Sequence, residues 1–313
     1  MHVPLLSRLR PLALRPLVLS AAIAVPTFAA QMVAQPAAAE ADDAATATRH
    51  VNVSALQSML VEQIAKAACF ADLGVNASAN MAYLRGSFEL YARAEEGLRG
   101  GNKSLGLVEE TNPNMLQALD RVTRVSQRWR ATVGAVAAGD GDVLSAQSLE
   151  TILTQTALVT EATEELAERA DRTYGKSEGV TLAQALRLKL AARQRMLSQR
   201  MAKDYCMMQA GADVAGHRAA LDEAITLFDG SLSALIDGFP AFGLKAEADP
   251  ARLARLKAVR SAWDDIKPLL VRAANGQAQS RADVVAVAWG NNLVLTLANA
   301  AVFAYETDGK GGS

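Results

Sequence analysis

Apolar residues recur along most of this chain at intervals of three and four, the spacing of one helix face rather than the alternation of a strand. The pattern predicts eight amphipathic helices over 52–73, 77–100, 113–138, 142–173, 181–210, 214–237, 250–275 and 281–307. Their ends are marked by glycine pairs and clusters (Gly100-Gly101, Gly139 to Gly141, Gly175 to Gly179, Gly238), where a left-handed cap is wanted. Asn112-Pro113 and Asp249-Pro250 each read as an N-cap followed by proline at the first helical position, where the missing N–H is harmless. Ser280 with Asp283 has the form of a capping box. No stretch alternates with period two for long enough to predict a strand.

The helices also repeat. Gln57 to Lys66 (QSMLVEQIAK) aligns with Gln194 to Lys203 (QRMLSQRMAK) at an offset of 137 residues. The same offset pairs Cys69 with Cys206, Gly74 with Gly211, Tyr91 with Phe228, Gly101 with Gly238, and Pro113 with Pro250. Trp129 and Trp263 correspond after a three-residue slip. One register held over so long a stretch predicts an all-α fold of two tandem antiparallel four-helix bundles related by an internal repeat, over 51–176 and 177–313.

Composition refines the picture at the N-terminus. Arg8, Arg10 and Arg15 precede an apolar run from Leu17 to Ala30, and small residues lead to Ala37-Ala38-Ala39. A positive start, a short apolar centre and an A-x-A site predict a signal peptide over 1–39, export across the inner membrane of a Gram-negative bacterium, and a periplasmic product. An uncleaved anchor is the competing reading, although the run is short for a span and contains Pro26. Residues 40–50 are polar and read as a disordered linker. The apolar stretch from Val284 to Tyr305 carries Asn291, Asn292 and Asn299 and reads as a buried bundle helix. The formal net charge of −1, with basic residues scattered, gives no electrostatic footprint for nucleic acid. In an oxidising compartment Cys69 and Cys206 could form one disulfide; two buried free thiols are the alternative.

The most specific string is RQRMLSQRMAK, Arg193 to Lys203. It resembles the signature helix of the PilJ-type domain, the N-terminal periplasmic module of type IV pilus methyl-accepting chemotaxis transducers. Through R-M-x-S-x-R it is also similar to the nitrate-recognition helix of the NarX/NarQ sensor kinases. The segment from Asn292 to Glu306 resembles the closing helix of the same domain. The resemblance implies a helical ligand-binding bundle that works through a membrane-bound transducer. It also implies that Arg195 contacts a small anion, nitrate or nitrite, with Met196, Ser198, Gln199 and Arg200 beside it. The sequence departs from the nitrate pattern at Leu190 and Ala192, and the first repeat has Ser58 and Gln63 where the second has Arg195 and Arg200. Two facing arginines therefore need a homodimer; an asymmetric or decayed site is equally open.

On its own physics, the α-helical wheel puts Leu186, Leu190, Leu197, Met201, Tyr205 and Met208 on a core face. Lys189, Arg193, Arg200 and Lys203 fall on a face suited to solvent. Arg195 projects from a flank of small residues with Leu188, Ala191, Ser198, Ala202 and Cys206. There its planar five-donor head would suit a planar oxyanion, or equally a carboxylate of a neighbouring helix. Trp129 and Trp263, and the methionines near position 200, read as core. The three histidines are scattered, and no metal-ligand spacing, nucleophile elbow, phosphate loop or dinucleotide fingerprint is present. The expectation is a non-enzymatic protein without cofactor or metal. It is either a sensor for a small anion or, without a ligand, a structural or interaction subunit of a pilus- or transport-associated envelope assembly.

Overall fold

The computed structural model describes residues 43–139, 141, 144–175 and 181–307, so the expected signal peptide lies outside the described residues. Eight α-helices are described: α1 (Asp43–Asp72), α2 (Ala77–Gly100), α3 (Pro113–Ala138), α4 (Ala146–Tyr174), α5 (Leu182–Gln209), α6 (Val214–Asp237), α7 (Pro250–Ala274) and α8 (Arg281–Thr307). In the first bundle α1 packs on α2 and α4, and α3 closes the ring between them; α5 to α8 repeat that arrangement. The fold is all-α.

The caps follow the sequence signals. The Asn112 side chain accepts from the backbone N–H of Asn114 and Met115, and the Asp249 side chain from that of Arg252. Thr181 and Gln184 form a capping box at α5, and Ser280 and Asp283 cap each other before α8. The 137-residue offset survives in three dimensions. Gly101 and Gly238 both take φ near +80°, at +80° and +85°, while Asn76 and Asp213 both enter the left-handed region ahead of α2 and α6. Tyr91 stacks 5.3 Å from Trp129, and Phe228 4.6 Å from Trp263. Glu110 accepts from the Tyr174 hydroxyl, and its equivalent Glu247 accepts from that of Tyr305.

Two expectations are corrected. Residues 43–50 are not a disordered linker but the first turns of α1. Burial decides it: Ala47 and His50 are enclosed, the His50 ring lies 5.1 Å from that of Tyr174, and Arg49 pairs with Glu306 of α8. A minimal hairpin also joins α2 to α3, with β1 (Gly101–Asn102) antiparallel to β2 (Leu107–Glu109). Strands of two and three residues are too short to print an alternation. Gly101 is required there, since a Cβ would stand 2.9 Å from the Glu109 nitrogen.

The bundles join along α1 and α5, the repeat-equivalent helices. Contacts run in the same order on both, Asn52 with Arg195, Glu62 with Arg200 and Lys203, and Cys69 with Cys206, so the helices are parallel. Ringed by α2, α4 and α5, α1 is buried at every position from Val51 to Ala71 except Ala55. A helix enclosed on all sides must bury its polar residues too. That is why Asn52, Glu62 and Lys66 lie inside the protein. Helix α8 is long and apolar enough to cross a membrane by length and hydropathy alone. Here it packs on α7 and α5 through Val287, Val294, Leu295, Ala298 and Val302.

Candidate functional site at the α1–α5 seam

The small-residue flank of α5 is the seam itself: Leu188, Ala191, Arg195, Ser198, Ala202 and Cys206 are all buried against the neighbouring helices. At the far end Cys69 and Cys206 are joined in a disulfide with Cα atoms 6.2 Å apart. Small side chains let two helix backbones come this close, and the bridge ties the two bundles together.

Arg195 lies at the opposite end and is 1% exposed. Its Nη2 donates to Asn52 Oδ1 at 2.5 Å, and its Nε is enclosed without a hydrogen-bond partner. Behind Asn52 stands Glu306, in the last turn of α8. Glu306 accepts from Arg49 Nη1 at 2.9 Å and from the Asn52 amide. Arg49 thus pairs with the carboxylate directly, and Arg195 reaches it only through Asn52. Burial pulls the Arg195 pKa down to about 10, with Glu306 opposing the shift. Burial also pushes the Glu306 carboxyl up, against the pull of Arg49 and Arg195. The charged forms of Arg195 and Glu306 are thus stabilised less well than they would be in water.

The other motif residues do not converge with Arg195. Met196 is core. The Ser198 hydroxyl donates to the Arg195 carbonyl at 2.7 Å, locally within α5. Gln199 donates to Ser198 Oγ and to Asn291 Oδ1 of α8, both at 3.0 Å. Arg200 turns away from Arg195. Its Nε donates to Glu62 at 3.3 Å and its Nη2 to Glu164 at 3.3 Å. Lys203 joins it with Nζ 2.9 Å from Glu62 Oε2. This corrects the solvent face assigned to α5: Lys189 and Arg193 are exposed, whereas Arg200 and Lys203 reach inward to a carboxylate that α1 cannot place in water. Burial alone would raise the Glu62 carboxyl; Lys203 and Arg200 overcome it and hold Glu62 below the usual carboxylate range.

Sequence reasoning missed Asn52, Glu62, Lys66 and Glu306. The signal was available for the first three: they sit in a segment whose apolar positions cover every face of α1, so a polar residue there has no route to solvent. Lys66 is fully buried, with Nζ 2.6 Å from Asn292 Oδ1 and 3.4 Å from Asn291 Oδ1. Burial lowers its pKa to about 7.

Space is limited. Two small pockets are described, each of about 10 Å³, one between α5, α6, α7 and α8 and one between α2 and α8. Each has room for a single water at most, and neither is lined by Arg195. Among the described residues no group of histidines, cysteines and carboxylates could hold a metal ion.

Residues 181–288 match the PilJ family model, described as the type IV pili methyl-accepting chemotaxis transducer N-terminal domain. The matched stretch takes in α5, α6, α7 and the first turns of α8, and therefore the helix bearing Arg195. No curated protein and no solved structure matches the chain.

Proposed function

We propose that this protein is the ligand-input module of a sensory pathway in the cell envelope: exported to the periplasm, it binds a small anion at the Arg195 end of the seam and signals through a membrane-bound partner. The family match over α5–α8 supports the sensory role, and the sequence signals for a leader support export. The observation that carries the ligand reading is the buried Arg195 guanidinium. It reaches Glu306 only through Asn52, while Arg49 pairs with Glu306 directly, and the enclosed Nε of Arg195 has a donor to spare. A nitrate, nitrite or small carboxylate inserted there would satisfy that donor and compete with Glu306 for both guanidiniums. Glu306 is one residue from the end of α8, so displacing it would loosen the last turn of that helix and turn binding into movement of the end of α8.

Titration calorimetry with nitrate, nitrite, formate and acetate on the wild type and Arg195→Gln tests this reading. A saturable component of the heat in the wild type that is lost in the variant is expected. No heat with any of the four would remove the anion from the proposal.

One observation favours a second reading, an interaction subunit without a ligand. The pockets are water-sized, while Trp289, Leu293 and Phe303 stand exposed along α8. Recovery of one stable envelope partner, by a chain whose melting responds to no small molecule, would support it.

A further inference from the structure

The duplication sets two equivalent polar clusters beside the seam, and they differ in charge. In the first, Glu62 of α1 receives Lys203 and Arg200 from α5 and the Thr160 hydroxyl from α4, the last at 3.1 Å. The 137-residue offset carries Lys203 onto Lys66, Glu62 onto Gln199 and Arg200 onto Gln63. The register that pairs Tyr174 with Tyr305 carries Thr160 onto Asn291 and Glu164 onto Leu295. The second cluster therefore keeps the ammonium and replaces both carboxylates and the guanidinium with uncharged side chains.

Its geometry matches that substitution. Lys66 meets the amide oxygens of Asn291 and Asn292, and Gln199 donates to the same Asn291 oxygen. Gln199 Oε1 is enclosed without a partner. Among the described residues no carboxylate pairs with Lys66. A buried ammonium held only by neutral amides is poorly compensated, and the sister cluster shows what this framework places opposite the charge.

We propose that Lys66, Gln199, Asn291 and Asn292 form a binding site for a small monovalent anion, a halide, nitrate or short carboxylate, seated against the Lys66 ammonium beside the Gln199 amide, which stands at the position Glu62 holds in the sister cluster. Lys66 supplies the charge, and the amides of Gln199 and Asn292 supply N–H donors once turned toward it. The way in is by Asn292, which is half-buried and borders the small pocket formed with Asn80, Tyr83 and Trp289. The site is separate from the one at Arg195: Asn52 and Lys66 lie about 21 Å apart along α1.

Thermal melting of the full chain at pH 6.5 tests it, with sodium chloride, nitrate, formate or acetate titrated at constant ionic strength against a bulky sulfonate. A ligand that binds only the folded state raises the melting midpoint in a saturable way. At least one of the four anions should give such a shift, several degrees at saturation. Arg195→Gln, which removes the site proposed above, should retain a saturable shift. Added to Arg195→Gln, Lys66→Met should abolish that shift. Gln199→Glu in the same background should also abolish it and start from a higher midpoint, because it restores a carboxylate opposite Lys66. An Arg195→Gln midpoint indifferent to all four anions would overturn the proposal. So would a shift that survives undiminished when Lys66→Met or, should that variant not fold, Gln199→Glu is added.

Discussion

Lys66 provides the sharpest test of how this seam is assembled, because its ammonium has no carboxylate partner among the described residues. Replacement by methionine keeps the length and removes the charge. In the folded protein the Lys66 pKa is about 7 against an ordinary 10.5, a displacement caused by burial. At about 1.4 kcal/mol for each pKa unit, holding the ammonium inside opposes folding by roughly 5 kcal/mol at and below neutral pH. Removing it leaves Asn291 and Asn292 short of a donor, a loss of about 1–3 kcal/mol. The net expectation for Lys66→Met is a gain of about 2–4 kcal/mol near pH 6. The sign with pH follows from the lowered value. Between about 7 and 10.5 the unfolded chain holds the proton and the folded chain does not, so wild-type stability rises with pH across that window. The variant lacks this rise, and its advantage shrinks to nothing and then reverses by about pH 10. Urea denaturation of both proteins at pH 6 to 10, in low concentrations of small anions, measures the difference. A variant less stable than the wild type at pH 6, or a difference that does not change with pH, would refute the account of Lys66 as an uncompensated buried cation.

Three further outcomes follow from the same contacts. The Cys69–Cys206 bridge closes a sequence separation of 137 residues, so reduction or a double Cys→Ser change should remove up to about 5 kcal/mol by the chain-entropy estimate, read as a lower denaturation midpoint. Glu62→Gln leaves Arg200 and Lys203 facing an enclosed amide and should destabilise by about 3–5 kcal/mol at neutral pH. Because the folded Glu62 pKa is depressed, that stabilisation is present above the unfolded value of 4.5 and lost as pH falls through the folded one, so the gap between wild type and variant should close in acid. Trp263 Nε1 donates to Asp229 at 3.0 Å, whereas Trp129 Nε1 is enclosed without a partner. Trp263→Phe should therefore be more destabilising than Trp129→Phe by about 1–2 kcal/mol, and equal losses would count against this asymmetry between the bundles.

Periodicity and punctuation made the fold legible. Helices α2, α3, α6, α7 and α8 begin at the expected positions 77, 113, 214, 250 and 281, three of them at the caps Asn112-Pro113, Asp249-Pro250 and Ser280–Asp283. The start of α1 was not legible, because its first turns are polar and stabilised by distant partners: Arg49 by Glu306, His50 by the Tyr174 ring. The inward turn of Arg200 and Lys203 escaped the helical wheel for the same reason. A wheel assigns a charged face to water, and here that face meets a carboxylate on a helix sealed from water on all sides. Arg195 stood out in the sequence as a charge on a small-residue flank. What it would meet there could not be read, since Asn52 and Glu306 lie 143 residues before it and 111 after it and come together only through the pairing of α1 with α5 and α8.

The asymmetry between the repeats shapes what recognition in this chain can be. Duplication places equivalent helices side by side, and the Cys69–Cys206 bridge marks where equivalent residues still face each other. Had both copies kept the same side chains, two arginines could flank the seam. Instead the position equivalent to Arg195 is Ser58, whose hydroxyl donates to the Ala55 carbonyl within its own helix. Arg200 has Gln63 as its counterpart, and Glu62 has Gln199. Each substitution removes a charge from one copy only. One of the two central clusters is thereby closed by an internal carboxylate, and the other holds a cation without one. A guest anion would then find a place at Lys66 or at Arg195 but no symmetric pair, and occupancy would pull on α8, through Asn291, Asn292 or Glu306, more than on α4. Such one-sided coupling suits a module that has to move one helix relative to a rigid, disulfide-tied neighbour. A symmetric clamp, by contrast, would tighten both bundles equally and move neither.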